Sequence, residues 1–268
     1  MSWIEAIILG LVQGLTEFLP VSSSGHLIIG KELLGVNVNV DAETTFEVLV
    51  HCATVLSTIF VFRNEIWKLL LGLFKFQMNE ETQYVIKICI SMIPVMIVGL
   101  FFKEEVERVF GKGAVVLVGG MLVVTAILLS LTHFVNFKQR RDISYIDAFM
   151  IGISQAIAVL PGLSRSGTTI STGLLLGNRK EDIARFSFLM VLVPILGETL
   201  LNILHGDFSP EVSGIPMQAL IAGFLAAFIS GLFACKMMIA IVKRSKLIYF
   251  AAYCVFVGTM ALIWQFFL

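Results

Sequence analysis

Two stretches of this chain carry the same broken apolar pattern at an offset of 142 residues, from Gly10 to Gly152. Glu5-Ala6 falls on Asp147-Ala148, Gln13 on Gln155, and Ser22, Ser24 and Gly25 on Ser164, Ser166 and Gly167. Leu33-Leu34-Gly35 then falls on Leu175-Leu176-Gly177, and residues 5–35 against 147–177 give ten identities without a gap. The polar identities gather at the break, where an apolar composition alone would not put them. Each copy opens with an arm too short to cross a bilayer. Residues 4–19 cover about 24 Å at 1.5 Å per residue, against roughly 30 Å of hydrocarbon. Pro20 and Pro161 interrupt the helix, because proline has no amide to donate and disfavours a helical residue before it. A second short arm runs to Gly35 or Gly177, each a natural helix stop. Short arm, break and short arm describe a re-entrant helical hairpin.

Composition places these hairpins in a membrane. The 268 residues are 57% hydrophobic and only 14% charged, with a mean hydropathy of +0.93, whereas a soluble domain carries about 25% charged residues. Apolar runs near 46–62, 84–102, 114–135, 183–204, 215–235 and 247–268 approach the roughly 20 residues that a span needs. Three spans follow each hairpin. A hairpin returns to its own side and three crossings end on the other, so the second half must lie upside down. The expected fold is an all-α polytopic membrane protein: an inverted-topology repeat with two re-entrant helical hairpins and about six full transmembrane helices. It forms one membrane domain over 1–268, with repeats at 1–136 and 143–268.

Charge orients it. Arg63, Lys68, Lys75, Lys138, Arg140, Arg141, Arg179, Lys180, Lys243, Arg244 and Lys246 fall opposite the N-terminus, and only Lys31, Lys103, Arg108 and Lys112 fall on its side. The richer face should be cytoplasmic, leaving both termini outside. Net charge is +0 and no basic groove with interleaved aromatics is evident, so nucleic acid is set aside. Cys52, Cys89, Cys235 and Cys254 sit in apolar runs at unrelated spacings and read as small buried hydrophobes. The opening Met-Ser-Trp-Ile-Glu lacks the basic start and small-residue site of a removable signal peptide.

The chemistry-bearing residues cluster at the two breaks. In LPGLSRSGTT at 160–169, Arg165 stays charged at any physiological pH, at a cost of roughly 2.5–3.5 kcal/mol at mid-bilayer. A phosphate is the natural partner for a guanidinium in a loop that opens a helix. Ser164, Ser166, Gly167 and Thr169 would complete the cradle. In LPVSSSGH at 19–26, Ser22 and Ser24 offer capping hydroxyls, and Gly25 lets a phosphate approach the backbone. Ser23 is a candidate nucleophile, with His26 one turn on to share its proton. Gln13 and Glu17 are four apart and share a helix face pointing at the break. His51, inside a span, reads as a packed or supporting group; His133 and His205 sit near span ends. Together the tips offer a base, a nucleophile, a histidine and a cationic clamp, an inventory suited to phosphoryl transfer.

These residues resemble the bacterial undecaprenyl pyrophosphate phosphatases, the bacitracin-resistance family, over essentially the whole chain. The family's Glu/Gln-x-x-x-Glu appears as Gln13 to Glu17, running on through Phe18 to His26, and Pro-Gly-x-Ser-Arg-Ser-x-x-Thr appears as Pro161 to Thr169. The resemblance implies hydrolysis of undecaprenyl diphosphate to the monophosphate, recycling the lipid carrier for cell-wall polymers. It gives catalytic roles to Glu17, Ser23, His26 and Arg165. It also implies residence in the bacterial cytoplasmic membrane with the site facing the periplasm or exterior, and activity with divalent cations. Mg²⁺ or Ca²⁺ would bridge Glu17 and the diphosphate, although the sequence displays no dedicated ligand cluster. The partners implied are the polyprenyl diphosphate and membrane lipid, and a homodimer is compatible with the pattern. Because Gln13 stands where the family also uses Glu, Glu17 must carry any carboxylate duty. Whether Ser23, His26 or water attacks phosphorus stays open at this level. A polyprenyl-phosphate flippase is the alternative, since inverted repeats with broken helices are carrier architecture. An acid phosphatase of the phosphatidate-phosphatase type is set aside because no His-x-x-x-Asp follows: His205 is followed four residues later by Ser209.

Overall fold

The computed structural model describes residues 1–36, 40–102, 114–134, 141–205, 214–243 and 246–267. Lys103, Arg108, Lys112, Lys138, Arg140 and Arg244 of the charge argument lie outside them. Among the described residues the regular structure is helical, apart from an isolated parallel bridge between Arg141 and Asn178. The helices are α1 Trp3–Phe18, α2 Ser23–Leu34, α3 Val40–Val61, α4 Arg63–Leu73, α5 Glu80–Phe101 and α6 Ala114–Phe134 in the first half. The second half has α7 Tyr145–Ile157, α8 Arg165–Leu175, α9 Lys180–Met190, α10 Leu192–His205, α11 Met217–Lys243 and α12 Ile248–Phe267. Thr44–Val61, Glu80–Phe101, Val115–Phe134, Lys180–Leu204 and Met217–Val242 are each long and apolar enough to cross a membrane. The run expected at 247–268 is α12, apolar over Ile248–Trp264. The chain is an all-α polytopic membrane protein.

Local chemistry at equivalent positions explains most of the repeat. Ser2 caps α1 with Glu5 in a reciprocal capping box (3.3 and 2.9 Å), and Ser144 caps α7 with Asp147 in the same way (3.1 and 2.9 Å). Ser22 and Ser164 cap α2 and α8, accepting from the amides of Gly25 (3.3 Å) and Gly167 (3.1 Å). Gly35 and Gly177 follow the ends of α2 and α8 at φ 61° and 88°, the left-handed conformation that ends a helix without a steric penalty.

Each hairpin rests on the opposite half of the chain. Helix α1 packs along α11, while α7 packs along α5; α6 and α12 close against one another. Gly10 and Gly152 mark the two crossings. A Cβ on Gly10 would stand 2.3 Å from the carbonyl oxygen of Gly223, and one on Gly152 would stand 2.4 Å from that of Ser91. Both obstructing atoms are backbone and cannot swing aside. Ala6, Leu9, Phe46, Val50 and Ala227 form one apolar cluster where α1, α3 and α11 meet. A larger cluster, including Ile88, Met92, Ala148, Ile151 and Ile183, surrounds the second hairpin.

Two features differ from the expectation. The span expected at 183–204 is present as Lys180–Leu204 but is interrupted at Val191, between α9 and α10. Pro194 is the cause: it lacks the amide that would bond to the carbonyl of Met190, and its ring crowds that carbonyl. Helix α4 was not anticipated. Its Ile66 and Leu69 pack against the larger core while Trp67 stays exposed. Eleven residues are too few for a span-length criterion to find, and only the three-residue apolar spacing gives it away.

The crossings should be intolerant of a single methyl. Gly10→Ala and Gly152→Ala are expected to lower the thermal midpoint of detergent-purified protein, consistent with roughly 1–3 kcal/mol of overpacking. Gly120→Ala, where a Cβ meets nothing within 4 Å, should hold the midpoint or raise it, because alanine is the better helix former.

Candidate functional site

The two breaks touch. Ser166 Oγ donates to the carbonyl of Leu19 at 3.2 Å. A Cβ on Gly25 would sit 3.1 Å from Gly162 Cα, and one on Gly167 would sit 3.2 Å from Pro20 Cβ. These glycines let two loops from distant parts of the chain cross at backbone distance. Helix α6 braces the second loop, with Thr125 Oγ1 accepting from the Ser164 amide at 3.0 Å. Gly162 must be glycine twice over: its φ is +91°, and a Cβ would come within 2.6 Å of Val118 backbone atoms. Ser22 also adopts a positive φ, 69° with ψ 98°, a conformation that costs a non-glycine residue of order 1–3 kcal/mol.

Around this crossing lies a cavity of about 330 Å³, at the lower end of the usual range for small-molecule sites. Its walls include Glu17, Ser22, Ser23, Ser24, Ser164, Arg165 and Ser166. Helix α3 adds Thr44, Glu47, Val48 and His51, and Thr16, Ala158, Val159, Leu163 and Ile195 complete the lining. The first-turn amides of α2 and α8 have no intrahelical carbonyl to bond, so two positive helix ends converge on the space, as anion sites require.

Glu17 is the hub, only 8% exposed. Its Oε1 is paired with the Arg165 guanidinium. Its Oε2 accepts from Gln13 Nε2 at 2.9 Å and from Ser23 Oγ at 2.6 Å, and His51 Nε2 stands 3.6 Å from the same oxygen. The contact with Ser23 is at the short end expected for a hydroxyl on a carboxylate. Arg165 also donates to the carbonyl of Ser187 at 3.3 Å. Thr169 sits behind it, bonding the Arg165 carbonyl (2.9 Å) and the Ser187 hydroxyl (2.6 Å). Each charge therefore meets its opposite with little exposure to solvent, and removing one partner of a buried pair costs about 3–5 kcal/mol.

The residues singled out from the sequence divide into three groups. Glu17, Ser22, Ser23, Ser24, Ser164, Arg165 and Ser166 line the cavity. Gln13, Thr169, Gly25 and Gly167 stand just behind that wall or at the loop crossing. His26 is not brought to the cavity. Its Nδ1 donates to the Ser22 carbonyl at 2.8 Å and its Nε2 pairs with the Tyr253 hydroxyl at 2.9 Å. The imidazole stacks on the Tyr253 ring, with centroids 5.6 Å apart. Both ring nitrogens are thus engaged, and the proton partner within reach of Ser23 is Glu17. Sequence reasoning had left His51 as a supporting group and missed Glu47 and Ser187. The signal for the α3 pair was a carboxylate and an imidazole four residues apart inside an apolar run.

Two carboxylates, Glu17 and Glu47, line the cavity. Among the described residues no group of three or more His, Cys, Asp or Glu side chains converges, and both Glu17 oxygens already meet donors.

A family model described as bacitracin resistance protein BacA matches residues 6–260. The undecaprenyl-diphosphatase of Parabacteroides distasonis is 57% identical, with 98% of this chain and 98% of that protein covered. That of Bacteroides thetaiotaomicron is 57% identical over 99% of this chain and 100% of its own length. The undecaprenyl-diphosphatase of Christiangramia forsetii is 50% identical over 99% of both. Matched from its first hairpin to its last span, this chain belongs to the bacitracin resistance protein BacA family.

Proposed function

We propose that this chain is an integral-membrane undecaprenyl-diphosphatase that removes the terminal phosphate of the lipid carrier, with its chemistry at the crossing of the two hairpins. The near-full-length identity to proteins named undecaprenyl-diphosphatase supports the reaction. One observation carries the assignment of residues: a serine hydroxyl, a carboxylate and a guanidinium share one buried cavity, with Ser23 Oγ at 2.6 Å from Glu17. Residues 1–136 and 143–268 are read as the two inverted halves that bring those groups together.

Each group then has a role. Arg165, the hydroxyls of Ser24, Ser164 and Ser166 and the first-turn amides of α2 and α8 bind the diphosphate and spread its charge. Ser23 Oγ attacks the terminal phosphorus as its proton passes to Glu17. The bond from that phosphorus to the bridging oxygen breaks, and the polyprenyl monophosphate leaves with the electron pair, taking the proton from Glu17. The regenerated carboxylate accepts a proton from water, whose oxygen attacks the phosphoserine; the bond from phosphorus to Ser23 Oγ breaks, Oγ leaves with the electron pair and takes that proton back from Glu17, and inorganic phosphate is released. Gln13 holds Glu17, and Thr169 with Ser187 holds Arg165. Mg²⁺ or Ca²⁺ would accompany the diphosphate as its counter-ion, neutralising oxygens that Arg165 and the tip amides do not reach.

The geometry also favours one direction of access. The cavity residues from α3, Thr44 to His51, all precede the last ten residues of that 22-residue helix, on the side nearer the N-terminal face. Both hairpins contribute their tips, Thr16 to Ser24 and Ala158 to Ser166. The excess of basic residues falls on the opposite face, so the cavity should open outward from the cytoplasmic membrane.

Phosphate release from a polyprenyl diphosphate by detergent-purified protein tests the reaction directly. Arg165→Ala and Glu17→Ala should each lower kcat at least about 100-fold, the scale of losing an oxyanion-type contact, with an unchanged elution profile. Substrate labelled in its terminal phosphate should leave label on wild-type Ser23 after an acid quench. Substantial turnover by Ser23→Ala, or label on another residue, would overturn the serine route. A membrane-impermeant maleimide applied to intact cells should modify a cysteine placed at Ser2 and spare one placed at Lys246; the reverse pattern rejects the outward-facing orientation.

A further inference from the structure

We propose that His51 is a positioning residue of this site: the donor that holds Glu17 once the diphosphate engages Arg165 and Ser23 turns toward phosphorus. The inference rests on the diphosphatase reading. It starts from a conflict visible in the geometry. Arg165 is bonded to Glu17, yet its guanidinium is also the group that phosphate oxygens must share. Ser23 donates to Glu17 Oε2 at 2.6 Å, yet its oxygen is the one that must reach phosphorus. As the reaction begins, both contacts loosen together. Of the hydrogen bonds on the carboxylate, that from Gln13 Nε2 at 2.9 Å remains.

His51 is built to replace what is lost. Its Nδ1 lies 2.8 Å from the carbonyl of Glu47. A carbonyl only accepts, so Nδ1 carries a hydrogen and the ring is anchored to its own helix. That anchor aims Nε2 at Glu17 Oε2 across 3.6 Å, outside hydrogen-bond length but inside ion-pair range. In its doubly protonated form the ring presents a second N–H there. The His51 side chain is 26% exposed and lines the cavity, so a small ring rotation closes the gap. The charged side chains grouped around it are Glu17 from α1, Arg165 from α8 and Glu47 from α3 itself. The Glu47 carboxylate is engaged by Lys31 of α2 at 2.5 Å, leaving the imidazole free to serve Glu17. His51 acts through Glu17 and takes no part in bond making.

The test compares kcat and KM for polyprenyl diphosphate hydrolysis by full-length wild type, His51→Leu and His51→Gln. Leucine fills the space without polar atoms; glutamine keeps an N–H donor. His51→Leu should lower kcat about 10- to 100-fold, the scale of one hydrogen bond to a charged group, with KM nearly constant. His51→Gln should recover most of kcat. A kcat within about twofold of wild type for His51→Leu overturns the proposal. So does a rise in KM alone, which would make His51 a substrate contact, and so does an equal loss in both variants. Thermal midpoints establish folding. Should the leucine variant not fold, His51→Asn replaces it, since its shorter arm must lose activity where Gln does not. An inactive wild type would sink the diphosphatase reading itself, a result distinct from an active enzyme indifferent to His51.

Discussion

The ion pair between Glu17 and Arg165 organises this molecule. Neither charge can sit alone in an apolar interior, because the desolvation of each is offset only by the other and by the donors and acceptors around it. The two residues come from different hairpins and are joined only if both loops reach the same depth and touch. Much else in the fold serves that meeting. Gly25, Gly162 and Gly167 let the loops cross at backbone distance, the Ser166 hydroxyl ties one loop to the other, and Thr125 props the second from behind. In the proposed reaction the pair is also what a phosphate must rearrange, so the contact that assembles the cavity and the contact that this chemistry has to loosen are the same one.

The duplication explains the scaffold, and its departures explain the chemistry. Equivalent positions retain what the backbone needs: capping boxes at Ser2 and Ser144, helix caps at Ser22 and Ser164, close crossings at Gly10 and Gly152. Where the copies differ, the groups proposed to react appear. Glu17 corresponds to Val159, and Ser23 corresponds to Arg165. One hairpin supplies the carboxylate and the hydroxyl, the other the cation. An arrangement that is regular in its backbone is therefore one-sided in its charges, as a reaction with a distinct attacking group and a distinct clamp demands.

Much of this could be read from residues alone. Apolar runs of span length, prolines that end short arms and an arginine with no tolerable unpaired state led to two hairpin tips holding Glu17, Ser23 and Arg165. What escaped depends on side-chain direction and on elements below span length. His26 lies one turn from Ser23 in sequence, yet its ring turns to Tyr253 on α12, a partner 227 residues away that spacing cannot reveal. His51 and Ser187 enter the site from helices whose apolar composition masks them. The division at Val191 needed the proline three residues beyond it to be weighed against an otherwise continuous apolar run.

The reciprocal seating of the hairpins bears on how the protein is made. Helix α1 leaves the ribosome first, but its bed is α11, more than two hundred residues later in the chain. Until that helix is inserted, the first hairpin has no finished groove to occupy, and its buried carboxylate has no guanidinium to meet. Assembly must therefore await translation of the second half, giving a late, long-range closing step of the kind that slows folding. Truncated chains that retain only the leading half carry every residue of α1 and α2 yet lack the surface that would seat them.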